Sequence, residues 1–258
     1  MNKKKRSFKK TKVRVYLNRF VIMSSAALIV FLIVSSISYI FLLIKIEKIE
    51  VEGSNKYNQK EIIKKSEINI GENLLFCNEE KAKRNIEKFL PYIENVEIKK
   101  ILPNKLVILT SEAEPNFVVR DNDFSFMIIS SSWKILETTN VKDSNLAVVE
   151  GLDVKQKEPG FKLECRDAEN EKFLAELLKS LKDNDLSVNK IIFLKDSKKI
   201  TLDYQNKIEI ILGQNHQVNY KIKTAKKLLK DNIKENESGQ LDLTSLPKDG
   251  KTYFKKNS

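Results

Sequence analysis

The chain has 258 residues, a formal net charge of +12, seven glycines, five prolines and two cysteines. It is long enough for more than one folded unit, and its low Gly and Pro content without repeats or low-complexity tracts excludes fibrous and disordered classes. Nine of the positive charges lie in residues 1–19, which hold no acid, so only +3 (12 minus 9) remains from residue 20 onward, which argues against a nucleic-acid partner for the bulk of the chain.

The basic arm, residues 1–19, is followed by residues 20–44, which carry no charge and are bounded by Arg19 and Lys45. As a helix this run is roughly 37 Å long, enough to cross a bilayer core of about 30 Å with some tilt. It ends Tyr39-Ile40-Phe41-Leu42-Leu43-Ile44, without small residues at a cleavage site, so an uncleaved anchor is expected rather than a signal peptide. Lys45 to Lys60 holds four Lys mixed with three Glu, against nine Lys or Arg in the arm. This asymmetry predicts a cytoplasmic N-terminus and an exported C-terminal part. The arm's charges are read as marking topology and touching anionic lipid head groups.

Beyond the span, Ile49 and Val51 alternate with Lys48, Glu50 and Glu52, a strand closed by Gly53. Asn58 caps a helix from Gln59 to about Ser66, with Glu61 at the capping-box position, Tyr57 and Ile62 as staple, and Ile62 and Ile63 inward. Asn78 caps a second helix, acidic in its first turn, whose buried face is expected to hold Ala82, Ile86, Phe89 and Leu90 before Pro91 stops it. Strands Asn95 to Leu102 and Lys105 to Ser111 flank a Pro103-Asn104 turn. The order strand, helix, helix, strand, strand gives a small sheet with one face under two helices.

From residue 116 the pattern is short strands. Phe124, Phe126 and Ile128 alternate with Ser125 and Met127, Ser130 to Ser132 turns, Trp133 to Leu136 starts a strand, and Leu146 to Val149 runs to Gly151. Asp167 caps a helix from about Ala168 to Lys182 with Phe173, Leu174, Leu177, Leu178 and Leu181 on one stripe. Strands at Lys190 to Leu194, Ile200 to Tyr204 and Ile208 to Leu212 form an antiparallel meander, with turns at Asp196-Ser197-Lys198 and Gln205-Asn206-Lys207. A helix from about Val218 to Asn236 places Ile222, Ala225, Leu228 and Leu229 inward. Gln240 to Thr244 reads as a short strand at an edge, and residues 247–258 as a flexible tail. Cys77 and Cys165 are read first as small apolar residues, with a disulfide between them as the alternative.

The run Ile46-x-x-Ile49-x-Val51-x-Gly53-x-Asn55-x-Tyr57, Glu61-Ile62, Gly71-x-Asn73-Leu74, Leu90-Pro91-Tyr92-Ile93-x-x-Val96-x-Ile98, Pro103-x-x-Leu106-x-Ile108 and Glu112-x-x-Pro115 resembles the POTRA domain of the bacterial cell-division proteins FtsQ and DivIB. The ordered set, placed directly after an anchor, carries the likeness. The second half is similar to that family's β domain, including Gly151, Pro159-Gly160 and Gly239-x-Leu241-Asp242-Leu243. The expected fold is therefore α+β: a single transmembrane helix, a small βααββ POTRA domain at 45–115, a mixed α+β domain with a mostly antiparallel sheet at 116–246, then the tail.

The resemblance implies a plasma-membrane scaffold of the division septum with no cofactor. It also implies partners among other single-span division proteins of the FtsL and FtsB or DivIC types, and the septal peptidoglycan synthase. Strand addition at an exposed sheet edge is the expected mode of contact. By the resemblance that edge lies near the C-terminal strand, at Leu241, Asp242, Leu243 and Thr244, with Tyr253 and Phe254 as anchors; core packing is the competing reading for Leu241 and Leu243.

Two rival classes differ in what they require. An anchored cell-wall enzyme needs a reactive constellation, yet the lone His216 sits in a polar Gln214-Asn215-His216-Gln217 stretch, and neither Cys77 nor Cys165 lies in a sortase-like sequence. Three soft ligands scattered over some 140 residues lack the close spacings of a zinc site. The carboxylates are mostly interleaved with Lys on amphipathic faces, and the glycines are dispersed at turns, so no metal, cofactor or catalytic residue is expected. An anchored sensor or chaperone binding exported peptides is the other alternative, distinguished by uniform rather than septal distribution.

Overall fold

An uninterrupted apolar run with no proline favours a continuous helix, and α1 (Lys3–Leu43) takes in both the basic arm and the run. The computed structural model describes residues 3–121, 125–141, 145–194, 199–213, 217–234, 237–246 and 250–257; Phe124, the Asp196-Ser197-Lys198 turn and His216 lie outside them. Within α1, Val21–Ile40 has a mean hydropathy of 2.4, and none of it is buried by the rest of the chain. Twenty residues at about 1.5 Å each match a hydrocarbon core of about 30 Å, so this exposed apolar surface is suited to lipid. Ile44 was expected to close the span, but it has left the helix and is half-buried against the first core, its carbonyl accepting from Leu74 N at 3.0 Å.

The first sheet has the order β1 (Lys48–Glu52), β3 (Lys105–Glu112), β2 (Ile93–Ile101), with β1 parallel and β2 antiparallel to β3. Helices α2 (Gln59–Ser66) and α3 (Glu79–Phe89) begin where their caps predict. Asn58 Oδ1 accepts from Glu61 N at 2.9 Å and Asn78 Oδ1 from Lys81 N at 3.0 Å. Their apolar stripes close over one sheet face, burying Ile62, Ala82, Ile86 and Leu90 against Val96, Ile98, Leu106 and Ile108. Phe89 departs from the expected stripe: it is 50% exposed. At about 100° per residue it sits a quarter-turn from Leu90, which takes the inward place, and its ring instead receives Lys65 Nζ at 4.8 Å and Lys88 Nζ at 5.5 Å from the centroid.

Gly53 ends β1 at φ +95°, and a Cβ there would stand 2.0 Å from Thr110 O. Gly53→Ala meets both a disfavoured backbone conformation and a carbonyl that is fixed in the sheet. It should destabilise the protein by about 1–3 kcal/mol, read as a lowered thermal midpoint in detergent; an unchanged midpoint would show that the strand end yields.

The second sheet has nine strands. Its order is β14 (Tyr253–Lys256), β13 (Gly239–Asp242), β12 (Ile208–Gly213), β11 (Lys199–Tyr204), β10 (Lys190–Leu194), β7 (Ala147–Glu150), β4 (Pro115–Arg120), β5 (Phe126–Ser130), β6 (Ile135–Thr139). Among the described residues five neighbouring pairs run antiparallel and three parallel. The meander β10–β11–β12 is as expected. A two-stranded hairpin, β8 (Val154–Gln156) with β9 (Glu164–Cys165), stands apart.

Helices α4 (Ala168–Asp183) and α5 (Val218–Asp231) cover one face of the large sheet and bury Phe173, Leu174, Leu177, Ile222 and Ala225 with Ile191, Leu202 and Ile210. α5 is shorter than its pattern, which runs to Asn236. After Asp231, Asn232 N and Ile233 N both donate to Leu228 O, and the turn folds Ile233 back against the core. The alternation expected at β5 is also overridden: Met127 and Ile129 enter the main core, while Ile128 joins Ala113, Val118, Leu136 and Val148 in a second cluster on the opposite face. Both sides of this part of the sheet are covered, so its strands read as continuous apolar runs.

Only two residues separate β3 from β4, and the two sheets are tied at that point. Ala113 N donates to Tyr92 O at 2.8 Å, Ser131 N to Glu114 O at 3.1 Å, and the partly buried Lys134 places Nζ 2.6 Å from Ile93 O. Cys77 and Cys165 are free and belong to different cores. Burial, with Glu171 nearby, pushes the Cys165 thiol up to about 11, so both cysteines serve as packing residues.

Candidate docking edge

The carboxy-terminal strands carry the sheet edge expected to bind partners. Gln240 and Asp242 alternate with Leu241 and Leu243, and the apolar pair enters the main core at 1% and 0% exposure. β13 lies parallel to β12, in the register Ile208↔Gly239 to Ile211↔Asp242, continued by Leu243 N donating to Ile211 O at 2.9 Å. Asp242 Oδ1 then accepts from Thr244 N at 2.8 Å, a side-chain turn that ends the strand.

β13 is not the edge strand expected from the sequence. Residues of the supposed flexible tail form β14, which pairs antiparallel with it: Gly239↔Lys256, Gln240↔Lys255, Leu241↔Phe254, Asp242↔Tyr253. β13 is therefore paired on both sides, by β12 and by β14, and Leu241 and Leu243 are core residues. Thr244 is half-buried, with its N–H held by Asp242. Of the six expected docking residues, only Tyr253 and Phe254 lie on the edge strand, at 58% and 36% exposure.

The register also says which backbone groups face out. Asn257 N donates to Ser238 O at 2.9 Å, which makes Ser238 and Asn257 a hydrogen-bonded pair, and in an antiparallel ladder such pairs alternate with non-bonded ones. Lys255 and Tyr253 therefore point their N–H and C=O at β13, whereas Phe254 and Lys256 point theirs away from it. Among the described residues no strand lies beyond β14. Directly opposed residues share a face, so Phe254 lies on the sheet face of Leu241, while Tyr253 lies on the other face with Asp242.

Three features hold this edge in place. Gly239 has no side chain where β14 crosses it: a Cβ would stand 2.3 Å from Lys255 O. Lys256 Nζ meets Glu237 Oε1 at 3.2 Å, and that contact, with the Lys234 N–H, holds the Glu237 carboxyl below its ordinary value. Lys221, only 3% exposed, reaches Leu212 O at 2.6 Å under the β12 end; burial pushes its pKa down, against the pull of Asp242. The signal for β14 in the sequence is the Tyr253-Phe254 pair, strong strand formers in a polar tail. Their partner was hidden because β13 and β14 are joined through some ten intervening residues rather than a tight turn.

Among the described residues no group of three His, Cys, Asp or Glu is placed to hold a metal. An apolar helix running into a small two-helix sheet module, followed by a nine-stranded sheet whose last described strand is β14, gives the class of a POTRA-bearing protein with an amino-terminal apolar helix. Residues 44–112 match the family described as POTRA domain, FtsQ-type. The cell division protein DivIB of Clostridium botulinum strain Hall is 35% identical over 206 residues, covering 77% of this chain and 78% of that protein. DivIB of Clostridium tetani is 28% identical over 201 residues, covering 76% and 74%. The cell division protein FtsQ of Syntrophotalea carbinolica is 30% identical over 162 residues, covering 62% and 53%. The chain belongs to the FtsQ/DivIB family of bacterial cell-division proteins.

Proposed function

We propose that this protein is a non-catalytic scaffold of the division septum, anchored by Val21–Ile40 with the arm in the cytoplasm and both sheets outside. Its partners are other single-span division proteins of the FtsL and FtsB or DivIC types, and through them it helps regulate the septal peptidoglycan synthase. The orientation rests on the nine basic residues of the arm. The partner class rests on family membership. The two working modules are residues 45–115 and 116–246, with β14 joined to the second.

The observation that carries the reading is the outer side of β14, which no strand among the described residues pairs. A partner segment in extended conformation meets the outward N–H and C=O of Phe254 and Lys256, and the exposed Tyr253 and Phe254 rings select among sequences. Affinity purification of the full-length protein from detergent-solubilised native membranes tests this. Single-span division proteins should co-purify, and a fluorescent fusion should gather at the septum. Uniform membrane distribution with no such protein recovered would instead support the sensor reading.

A further inference from the structure

The end of the first module next to the span exposes more large apolar surface than a water-facing loop region needs. Phe76 is 71% exposed, Ile70 70%, Leu102 61% and Ile101 45%, and Leu43, the last residue of α1, is 56% exposed. Ile70 and Phe76 come from the connection between α2 and α3, Ile101 and Leu102 from the end of β2 and its turn into β3. They are distant in sequence, and the fold gathers them around the point where the chain leaves α1.

Main-chain hydrogen bonds fix that placement. Leu74 N donates to Ile44 O at 3.0 Å, Ile46 N to Glu72 O and Gly71 N to Ile46 O, each at 2.8 Å, so the α2–α3 connection is laced to the first three residues after the span. On the other side Glu47 N donates to Asn104 O at 2.8 Å, which brings in the β2–β3 turn. Lys100 Nζ joins the two, at 3.0 Å from Leu75 O and 2.8 Å from Glu79 Oε1. No slack separates helix from module: Leu43 is helical, and Ile44 is already bonded and packed.

We infer that this end of the module is seated in the bilayer interface, with Phe76, Ile70 and Leu102 inserted among the lipid head groups and upper acyl chains beside the span. The inference rests on Val21–Ile40 crossing the membrane. A helix that leaves the hydrocarbon at Leu43 delivers a module bonded from Ile44 straight onto the lipid surface, within about one helical turn of it. Apolar side chains at that depth are removed from water without a protein partner. Exposed Lys45 has Glu47 two residues on, and Lys99 Nζ meets Glu97 Oε1 at 3.5 Å, so the contact is apolar and does not require anionic lipid. The seated module then has a fixed height and tilt, which sets where the far edge strand β14 is held above the membrane.

The test uses the full-length protein reconstituted in phosphatidylcholine vesicles, with and without brominated acyl chains, carrying Phe76→Trp or Leu102→Trp. The native Trp133 supplies the background. It lies away from the span, since Ser131 bonds Glu114 beyond the far end of β3, about 25 Å along the strand from Lys105. Both substituted positions are exposed, so the fold tolerates the larger ring. Bromolipid should remove roughly half of the added emission, as expected of a ring some 5–10 Å into the interface, equally at low and high salt. Added emission that is solvent-like and quenched by acrylamide but not by bromolipid overturns the inference. Failure of the protein to float with the vesicles overturns the anchoring reading itself, and the two failures are separately visible.

Discussion

The variant Phe254→Pro is expected to fold as the wild type does, yet to recover the proposed single-span division partner at least about tenfold less well in pull-down. Proline removes one outward donor and sets a ring where an added strand must lie; a main-chain hydrogen bond contributes about 0.5–1.5 kcal/mol net, and about 1.4 kcal/mol is already tenfold. The sheet itself survives, because the Phe254 N–H does not serve β13. Two companions sharpen the result. Lys255→Pro removes an inward donor and should detach β14, whereas Phe254→Val keeps the backbone and a strand-forming side chain and should retain most of the binding. Truncation after Leu246 removes β14 and leaves β13 as the open edge. If that truncated protein still binds, the partner takes the place of β14 against β13; if Phe254→Pro still binds, the contact lies elsewhere.

Leu241→Ala should act on stability first. The side chain is 1% exposed in the main core, and a buried Leu cut to Ala costs about 2–5 kcal/mol in lost transfer energy and residual cavity. Denaturant unfolding should therefore move to a lower midpoint, with partner recovery at low temperature reduced only in proportion to the unfolded fraction. A fully stable Leu241→Ala protein that had lost its partner would reverse the assignment and make Leu241 a contact residue. Paired with Phe254→Pro, it separates the two roles that the sequence alone left mixed in the segment from Leu241 to Phe254.

Much of the local architecture was legible because it depends on neighbours in sequence. Asn58, Asn78 and Asp167 cap helices that begin where those residues stand, since a cap bonds to N–H groups two or three positions on. The first module was readable as a whole, its elements being short, periodic and separated by strong punctuation at Gly53 and Pro91. The misses have physical causes of a different kind. Phe89 sits at the margin of its stripe, where one residue of helix decides between core and solvent. Met127 and Ile128 both became buried because a second apolar cluster covers the back of the sheet, and period two has nothing to say about a strand covered on both faces. α5 stopped early because, after the last helical bond from Asn232 N to Leu228 O, the Ile233 N–H turns back to the same carbonyl.

What the amino-acid order determined by itself was a long apolar helix with a basic flank, a two-helix module set hard against it, and a larger strand-rich unit, since charge, length and short-range periodicity are properties of the chain. Which strand is left open was decided only by folding. Gly239 makes room for Lys255 some sixteen residues later, and that single long-range pairing turns β13 into interior and Tyr253-Phe254 into the edge. The gathering of Ile70, Phe76 and Leu102 beside the span is of the same kind, because main-chain bonds between separate loops, rather than any spacing in sequence, bring them to one end of the module.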